Sequence, residues 1–142
     1  MKKLTAIVLC FALMFSFVGC GKGKTKNVKI DYGTSSIYTK EEMDEAIEKI
    51  KEHFESMDGC ELYSLSYSSD DVCIDKENIE WINELKRADD NSQVFTQCIM
   101  FNSSFRSPLK GGGGWDANEE CTWSWWLARS EDGEWKLMAW GY

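Results

Sequence analysis

Apolar residues with helical spacing follow a capping signal near residue 39. In the run Thr39-Lys40-Glu41-Glu42, the threonine hydroxyl can accept a hydrogen bond from the Glu42 amide, and the Glu42 carboxylate can reach back. Gly59 is placed to end the helix, because glycine tolerates the left-handed backbone of a helix end. The pattern predicts an amphipathic helix of about five turns. Its apolar stripe consists of Met43, Ala46, Ile47, Ile50, Phe54 and Met57.

Two shorter elements are predicted after this helix. Residues 62–68 alternate with period two, so Tyr63, Leu65 and Tyr67 share one face and serines take the other. This alternation indicates a half-buried strand. The segment Asp75–Arg87 predicts a second helix, because aspartate is a good N-cap and apolar residues follow at helical spacing.

The remaining chain is rich in residues that favour strands. Residues 93–105 predict a strand that breaks at Ser107-Pro108. The following run, Lys110-Gly111-Gly112-Gly113-Gly114-Trp115, lacks the Lys-Ser/Thr ending of a phosphate-binding loop. It therefore predicts a flexible hairpin loop, in keeping with its glycine content.

A hairpin is predicted around Asp132-Gly133, and two registers compete. A two-residue turn would place Arg129 opposite Lys136, which is a like-charge pair. A three-residue loop avoids that pair, sets Leu127 opposite Leu137 and gives one apolar face, so we favour it. That face would hold Trp123, Trp125, Leu127, Trp135, Leu137 and Ala139, while Trp126 and Trp140 would lie on the other.

These elements predict a single α+β domain over residues 38–142. Their order is α-β-α-β-β-β, and the last strands are joined by hairpins. We expect a curved antiparallel sheet of about four strands, packed on two helices in a cone-like arrangement. Because about 105 residues suffice for one core and no more, a second domain is not expected.

The N-terminal residues predict export. Met1-Lys2-Lys3 precedes 15 uncharged, mostly apolar residues, Leu4–Val18, which is short of the about 20 residues of a membrane span. The run ends in Phe17-Val18-Gly19-Cys20, which resembles a bacterial lipoprotein signal with phenylalanine where leucine is usual. The resemblance implies that residues 1–19 are a signal peptide and that Cys20 carries the lipid.

Residues 20–37 predict a lipidated, flexible tether, because they are small, polar and without an evident period. Its lysines would meet an anionic bilayer. The protein is therefore expected at the outer face of the bacterial cytoplasmic membrane, anchored through Cys20. The lysines of this segment are Lys22, Lys24, Lys26 and Lys29.

The charge of the chain limits its partners. The net charge is −8, and acidic residues dominate residues 38–142. This balance argues against nucleic acid as a partner, since phosphate backbones require clustered lysine and arginine.

Four cysteines would remain after processing: Cys60, Cys73, Cys98 and Cys121. They allow three disulfide connectivities, or free thiols in a reducing habitat. A hairpin register with Cys98 opposite Cys121 predicts that pair and leaves Cys60 with Cys73. Without a Cys-x-x-Cys pair we expect no metal site, and nothing in the sequence predicts a cofactor.

Several motifs resemble those of a known family. They are Ile37-Tyr38-Thr39-Lys40-Glu41-Glu42, Gly59-Cys60-Glu61-Leu62, Glu80-Trp81, Trp123-Ser124-Trp125, Leu127-Ala128-Arg129, Gly133-Glu134-Trp135 and Trp140-Gly141-Tyr142. Together they resemble small lipoproteins of Gram-positive bacteria, many from the gut, whose activity is not established. The resemblance implies a fold similar to the cystatin-like cone of nuclear transport factor two, and an envelope location.

The sequence favours a non-catalytic binding or accessory domain over an enzyme. The predicted inner sheet face carries no carboxylate or histidine, and His53, the only histidine, is expected on the first helix at the edge of its apolar stripe. The alternative is a small enzyme that uses the concave sheet face as its pocket. Ligand binding is predicted at Trp115, Trp126 and Trp140, as flat apolar faces for a small molecule, a glycan or an envelope protein.

Overall fold

The computed structural model describes residues 21–85, 93–131 and 133–142. The predicted signal peptide and Cys20 lie outside these residues, as do Arg87 and Asp132. Along the chain the elements are β1 (Lys29–Asp31), α1 (Lys40–Phe54), β2 (Glu61–Tyr67), α2 (Asp70–Ile74), α3 (Lys76–Glu84), β3 (Gln97–Arg106), β4 (Glu120–Arg129) and β5 (Lys136–Gly141).

The strands form one open, five-stranded sheet in the order β1-β2-β3-β4-β5. β1 runs parallel to β2, and the other neighbours are antiparallel. The α+β class is confirmed. The sheet is mixed and has one strand more than predicted, and the described residues hold three helices rather than two.

The capping box that starts α1 is confirmed. The Thr39 hydroxyl accepts from the Glu42 amide at 3.2 Å, and the Thr39 amide donates to the Glu42 carboxylate at 2.8 Å. The predicted stripe is buried against one face of the sheet, which we call the inner face. The predicted end at Gly59 is wrong, because the helix ends at Phe54 with Glu55 as its C-cap, and Gly59, at φ +76°, lies in the turn that follows.

The prediction of a flexible tether is wrong for residues 21–37. These residues pack on the domain through β1 and through a parallel bridge between Lys24 and Glu61. Val28, Ile30 and Tyr32 are spaced by two and pack partly buried against the core. This short alternation of apolar residues is typical of a strand. The lysines around it make the segment polar on average, which is why the sequence analysis predicted a tether.

The second helical region is divided in two. Ser69 caps α2, a single turn, and Asp75 then caps α3 by accepting from the Glu77 amide at 2.9 Å. The predicted start at Asp75 is therefore confirmed. The extra turn brings Cys73 into the core, a contact that helical periodicity after Asp75 does not show.

A bulge in β2 changes the predicted faces of that strand. The register shifts between Leu62 and Ser64, so Tyr63 is the extra residue. Leu62, Leu65 and Tyr67 are buried on the inner face, whereas Tyr63 is exposed. The prediction that Tyr63 shares a face with Leu65 is wrong, because strict alternation fails at a bulge.

The predicted register of the β4–β5 hairpin is confirmed next to the turn, where Leu127 pairs with Leu137. A second bulge then shifts the pairing between Leu127 and Trp126. Trp140 consequently lies opposite Trp125, on the inner face, and Ala139 lies opposite Trp126. The sequence analysis placed both β5 residues on the wrong faces.

The outer face of the sheet is partly covered by α3. A small cluster of Ile82, Phe95, Cys98 and Ala128 is buried there, and Trp126 packs at its border. Trp126 meets Trp81 of α3 edge to face, with the ring centroids 5.5 Å apart. The helices therefore pack on both faces of the sheet, and the larger core lies beneath α1.

A buried ion pair joins α1 to the end of β4. The Arg129 side chain donates to Glu42 at 2.6 Å and to Gln97 at 2.6 Å. Its guanidinium lies 4.2 Å from the ring centroid of Trp135, whose indole donates to the Glu42 carbonyl at 3.0 Å. We call Arg129, Glu42, Gln97 and Trp135 the arginine clasp. It fixes the first turn of α1 to the sheet.

Neither predicted disulfide fits the strand register. Cys98 pairs with Ala128 and Cys121 with Phe105, so seven residues, or about 23 Å of strand, separate the two cysteines. Cys60 and Cys73 are separated by the whole of β2. All four thiols are free and buried. The prediction set the β3–β4 turn too early, because the pairing is centred on Gly113-Gly114.

Candidate functional site

An open cleft of about 380 Å³ lies at one end of the inner sheet face, beside the glycine-rich turn. Small-molecule sites in proteins commonly measure about 300–1,000 Å³. We call this space the aromatic cleft. Its lining consists of Gly113, Gly114, Trp115, Asp116, Glu119, Cys121, Trp123 and Tyr142.

Strand alternation and one tight turn assemble the cleft. Cys121 and Trp123 project from the inner face of β4, and Tyr142 follows the end of β5 beside Trp123. Gly112 and Trp115 exchange both backbone hydrogen bonds, at 3.0 and 3.1 Å. The glycines between them have φ of +61° and +91°, which other residues adopt only with strain. The glycine run is therefore a defined hairpin that holds Trp115 over the cleft.

The aromatic rings form a connected stack. The Trp115 and Trp123 ring centroids are 5.6 Å apart with an interplanar angle of 36°. Phe105 supports both rings edge to face, at 5.7 and 5.1 Å. Tyr142 stands 6.3 Å from Trp123 and is 97% exposed. The cleft thus offers indole faces backed by core residues and one freely accessible phenol.

Carboxylates border the same cleft. The segment that carries Asp116 and Glu119 is held by the buried Ser107 hydroxyl, which donates to the Asp116 carbonyl at 2.6 Å and accepts from the Glu119 amide at 2.7 Å. Both acidic side chains lie in exposed residues. The indole N–H of Trp123 is buried and has no acceptor among the described residues. The cleft therefore combines apolar ring faces with anionic acceptors, while the unsatisfied Trp123 N–H is buried behind the ring.

The structure does not bring the three predicted binding tryptophans together. Trp115 lies in the aromatic cleft. Trp126 packs on the opposite sheet face against α3. Trp140 is 37% exposed and lies on the inner face against His53, with ring centroids 4.1 Å apart. Trp123 lies on the inner face with Trp125, as its place on the predicted apolar face requires, but it is only partly buried and also lines the aromatic cleft.

Sequence reasoning missed Trp123 and Tyr142 as cleft residues. The role of Trp123 could have been predicted, because it is the first tryptophan of β4 and therefore lies closest to the glycine-rich turn before that strand. The position of Tyr142 could not have been predicted in this way, because no sequence pattern indicates the β5 bulge that brings Tyr142 beside Trp123.

His53 is the titratable group nearest the middle of the inner face. Its ring packs 6.0 Å from Trp125 and 4.1 Å from Trp140, and burial lowers the pKa of the imidazole. No side chain among the described residues hydrogen-bonds to the imidazole. A general base needs such an orienting partner or a substrate within reach. The observed contacts of His53 are therefore those of a residue that packs against two tryptophans.

A second open cleft, of about 360 Å³, lies between α1 and the hairpin of β4 and β5. It is bridged by the ion pair between Lys49 and Glu134. Trp135, buried behind that ion pair, belongs to the arginine clasp. The lining is polar and spans the α1–hairpin junction: Lys49, Gln93, Glu134, Trp135, Lys136 and Leu137.

Burial makes the four thiols unreactive. Burial raises the pKa of Cys60 to about 11 and that of Cys98 to about 12, and it also raises the pKa values of Cys73 and Cys121. Because the thiolate is the reactive form, we expect the folded protein to react with an aromatic disulfide reagent roughly 100-fold or more slowly than the unfolded chain.

A time course of thionitrobenzoate release checks this expectation. The exposed variant Leu109→Cys is the positive control and should react at once with one equivalent. Rapid reaction of several native thiols in the folded protein would contradict the burial described above.

Comparison of the chain with protein-family models, with curated proteins and with solved structures gave no match. Within residues 21–85, 93–131 and 133–142, no helix has both the length and the apolar character to cross a membrane. The same residues contain no group of three or more histidine, cysteine or acidic side chains placed to hold a metal ion.

Proposed function

We propose that this chain is an extracytoplasmic lipoprotein whose domain binds a sugar-containing ligand, without catalysis, in the aromatic cleft. In this proposal lipid on Cys20 anchors the protein to the outer face of the bacterial cytoplasmic membrane. The export pattern of residues 1–20 and the resemblance to small Gram-positive lipoproteins support the anchor. The observation that carries the binding role is the aromatic group of the half-buried Trp115 and Trp123 and the exposed Tyr142, beside two carboxylates.

Sugar rings match this chemistry better than fully apolar ligands do. One face of a sugar ring presents C–H groups, which pack on an indole face, and its edge presents hydroxyls. The carboxylates of Asp116 and Glu119 accept hydrogen bonds from hydroxyls. Neither carboxylate takes part in a hydrogen bond or ion pair with another described residue. Both are therefore available to a ligand.

The alternative function is catalysis on the inner sheet face, for which His53 would be the candidate residue because it is the titratable group nearest the middle of that face. In that case His53→Gln would abolish turnover of a substrate and leave the aromatic cleft intact. In the binding proposal the same variant retains full affinity for the glycan, because His53 contacts Trp125 and Trp140 rather than the cleft.

We expect Tyr142→Ala to weaken glycan binding about tenfold or more without lowering stability. The Tyr142 side chain is 97% exposed, so its removal costs no core packing. A tenfold loss of affinity corresponds to about 1.4 kcal/mol, which the burial of about 55 Å² of apolar surface between sugar and ring supplies at about 25 cal/mol per Å². A glycan array on the wild-type domain identifies the ligand, and titration calorimetry compares the variants.

Trp81→Ala is the matched control, because Trp81 is a partly exposed aromatic residue on α3, over the outer sheet face. It should bind like the wild type. Equal loss of affinity in both variants, or no binding by the wild type to any glycan, would refute the binding proposal.

A further inference from the structure

The lining of the aromatic cleft is negatively charged. Of the residues that border it, Asp116 and Glu119 bear a charge, and both are carboxylates. The buried Ser107 hydroxyl bonds to the backbone of both residues, which keeps them at the same border of the cleft. A ligand that enters the cleft therefore meets two carboxylates and no cation from the lining.

The positive side chains of the connection between β3 and β4 do not offset these carboxylates. Arg106 lies on the outer sheet face, where it donates to the Asn118 carbonyl at 2.9 Å. It also lies opposite Glu120 in the register of β3 and β4. Lys110 is the remaining cation of residues 106–121, which carry two positive and three negative side chains.

The lysines of the N-terminal segment lie farther from the cleft, beyond β2. Lys24 bridges to Glu61 at the start of β2, and β3 lies between β2 and β4. Three inter-strand spacings, about 14 Å, therefore separate Lys24 from the β4 side of the cleft. Exposed charges act over about 8 Å at physiological salt. With every charged residue of this end counted, carboxylates still outnumber cations: Glu55, Asp58, Glu61, Asp116, Glu119 and Glu120 against Lys22, Lys24, Lys26, Arg106 and Lys110.

We propose that the aromatic cleft selects glycans that carry free, protonated amino groups, such as glucosamine units without acetyl groups. This inference rests on the proposed function, because it names the class of sugar for the same site. The ammonium group donates charge-assisted hydrogen bonds to Asp116 and Glu119, which are about twice as strong as those from a neutral hydroxyl. Near the faces of Trp115 and Tyr142 it is also attracted by the aromatic rings.

Other sugars match the cleft less well. A neutral or N-acetylated sugar displaces water from both carboxylates and supplies no positive charge in return, which costs free energy. Uronic acids and sugars that bear phosphate or sulfate bring a like charge to the carboxylates and are repelled. The cleft therefore distinguishes glycans by their charge as well as by their ring faces.

The test compares two oligosaccharides that differ in acetylation alone: the β-1,4-linked tetramer of glucosamine and the same tetramer with every amino group acetylated. Titration calorimetry on the full-length protein in detergent measures both affinities at about pH 6, where amino groups are protonated and carboxyl groups are ionised. We expect the free-amine tetramer to bind about tenfold or more tightly, and the difference to shrink at high salt, which screens the charges.

Two double variants show whether the cleft itself makes the distinction. Asp116→Asn with Glu119→Gln should remove the preference for the free amine. Glu80→Gln with Glu84→Gln is the matched control, because it removes the same charge from exposed residues of α3, over the outer sheet face. The control should keep the preference. Tyr142→Ala should weaken the binding of both tetramers by a similar factor, since both present the same sugar rings.

The outcomes separate this inference from the proposed function. Equal affinity for the two tetramers would overturn the selection of amino groups and leave sugar binding standing, as would binding of other glycans alone. Equal loss of the preference in both double variants would assign it to the overall charge of the protein and also overturn the inference. No binding of the wild type to either tetramer or to any arrayed glycan would overturn both proposals.

Discussion

Replacing Trp125 with alanine is expected to lower the free energy of unfolding by about 3–5 kcal/mol. Trp125 is fully buried at the centre of the inner face, where its ring packs against Phe54 and Trp123. Its indole donates to the Ser103 hydroxyl at 2.8 Å, so the truncation also leaves a buried hydroxyl with one partner fewer. Urea denaturation followed by circular dichroism measures the effect.

Tryptophans at the surface provide the comparison for Trp125→Ala. Trp140→Ala removes a ring that is 37% exposed, so its cost should be smaller than that of Trp125→Ala. Trp126→Ala should also cost less, because Trp126 lies at the border of the smaller cluster. If either surface variant destabilises the protein as much as Trp125→Ala does, the assignment of the core to the α1 side is wrong.

Replacing Glu42 with alanine is expected to cost about 3–5 kcal/mol, because it leaves the Arg129 guanidinium buried without its carboxylate. The Arg129 residue is 3% exposed and cannot regain water without opening the arginine clasp. Part of the loss comes from the capping box, and Thr39→Ala isolates that part at about 1 kcal/mol. Thermal and urea unfolding of each variant give the difference.

A double variant separates the charge from the packing. Glu42→Leu with Arg129→Met removes both charges and should recover part of the stability that Glu42→Ala loses. If Glu42→Ala and Thr39→Ala proved equally destabilising, the ion pair would contribute nothing, and the expected effect would be wrong.

The same pair makes stability depend on pH in a defined direction. The hydrogen bond from Arg129 lowers the pKa of Glu42 below its ordinary value, with a smaller contribution from the Thr39 amide. A carboxyl with a lowered pKa stabilises the fold above its unfolded-state pKa of about 4.3, and this contribution disappears as pH falls through the folded-state pKa. The stability gap between wild type and Glu42→Gln should therefore narrow below about pH 4.

Local signals in the sequence predicted local structure well. The Thr39 capping box and the buried stripe that starts at Met43 depend on residues close together in the chain, and the structure confirms both, whereas the helix ends at Phe54 rather than near Gly59. The pairing of Leu127 with Leu137 was also predictable, because charge and face restrict a short hairpin to few registers.

Features set by distant contacts were not predictable in the same way. The bulges at Tyr63 and next to Trp126 have no recognisable local sequence pattern, and each moves an aromatic side chain to another face. The prediction of the candidate site was affected most by these bulges. Trp115 was predicted as a binding residue, but its companions Trp123 and Tyr142 depend on the β3–β4 register and on the β5 bulge.

The hydrogen bonds between the N-terminal segment and the rest of the domain have a mechanical consequence. A force applied to the chain on the N-terminal side of Gly21 reaches the fold first through the backbone hydrogen bonds of Gly21, Gly23 and Lys24. Because the Lys24 segment lies parallel to the start of β2, a pull along that direction loads these bonds together in shear, whereas a sideways pull breaks them in turn. The resistance of the domain to extraction therefore depends on the direction of pulling, and a domain on a slack linker would lack this dependence.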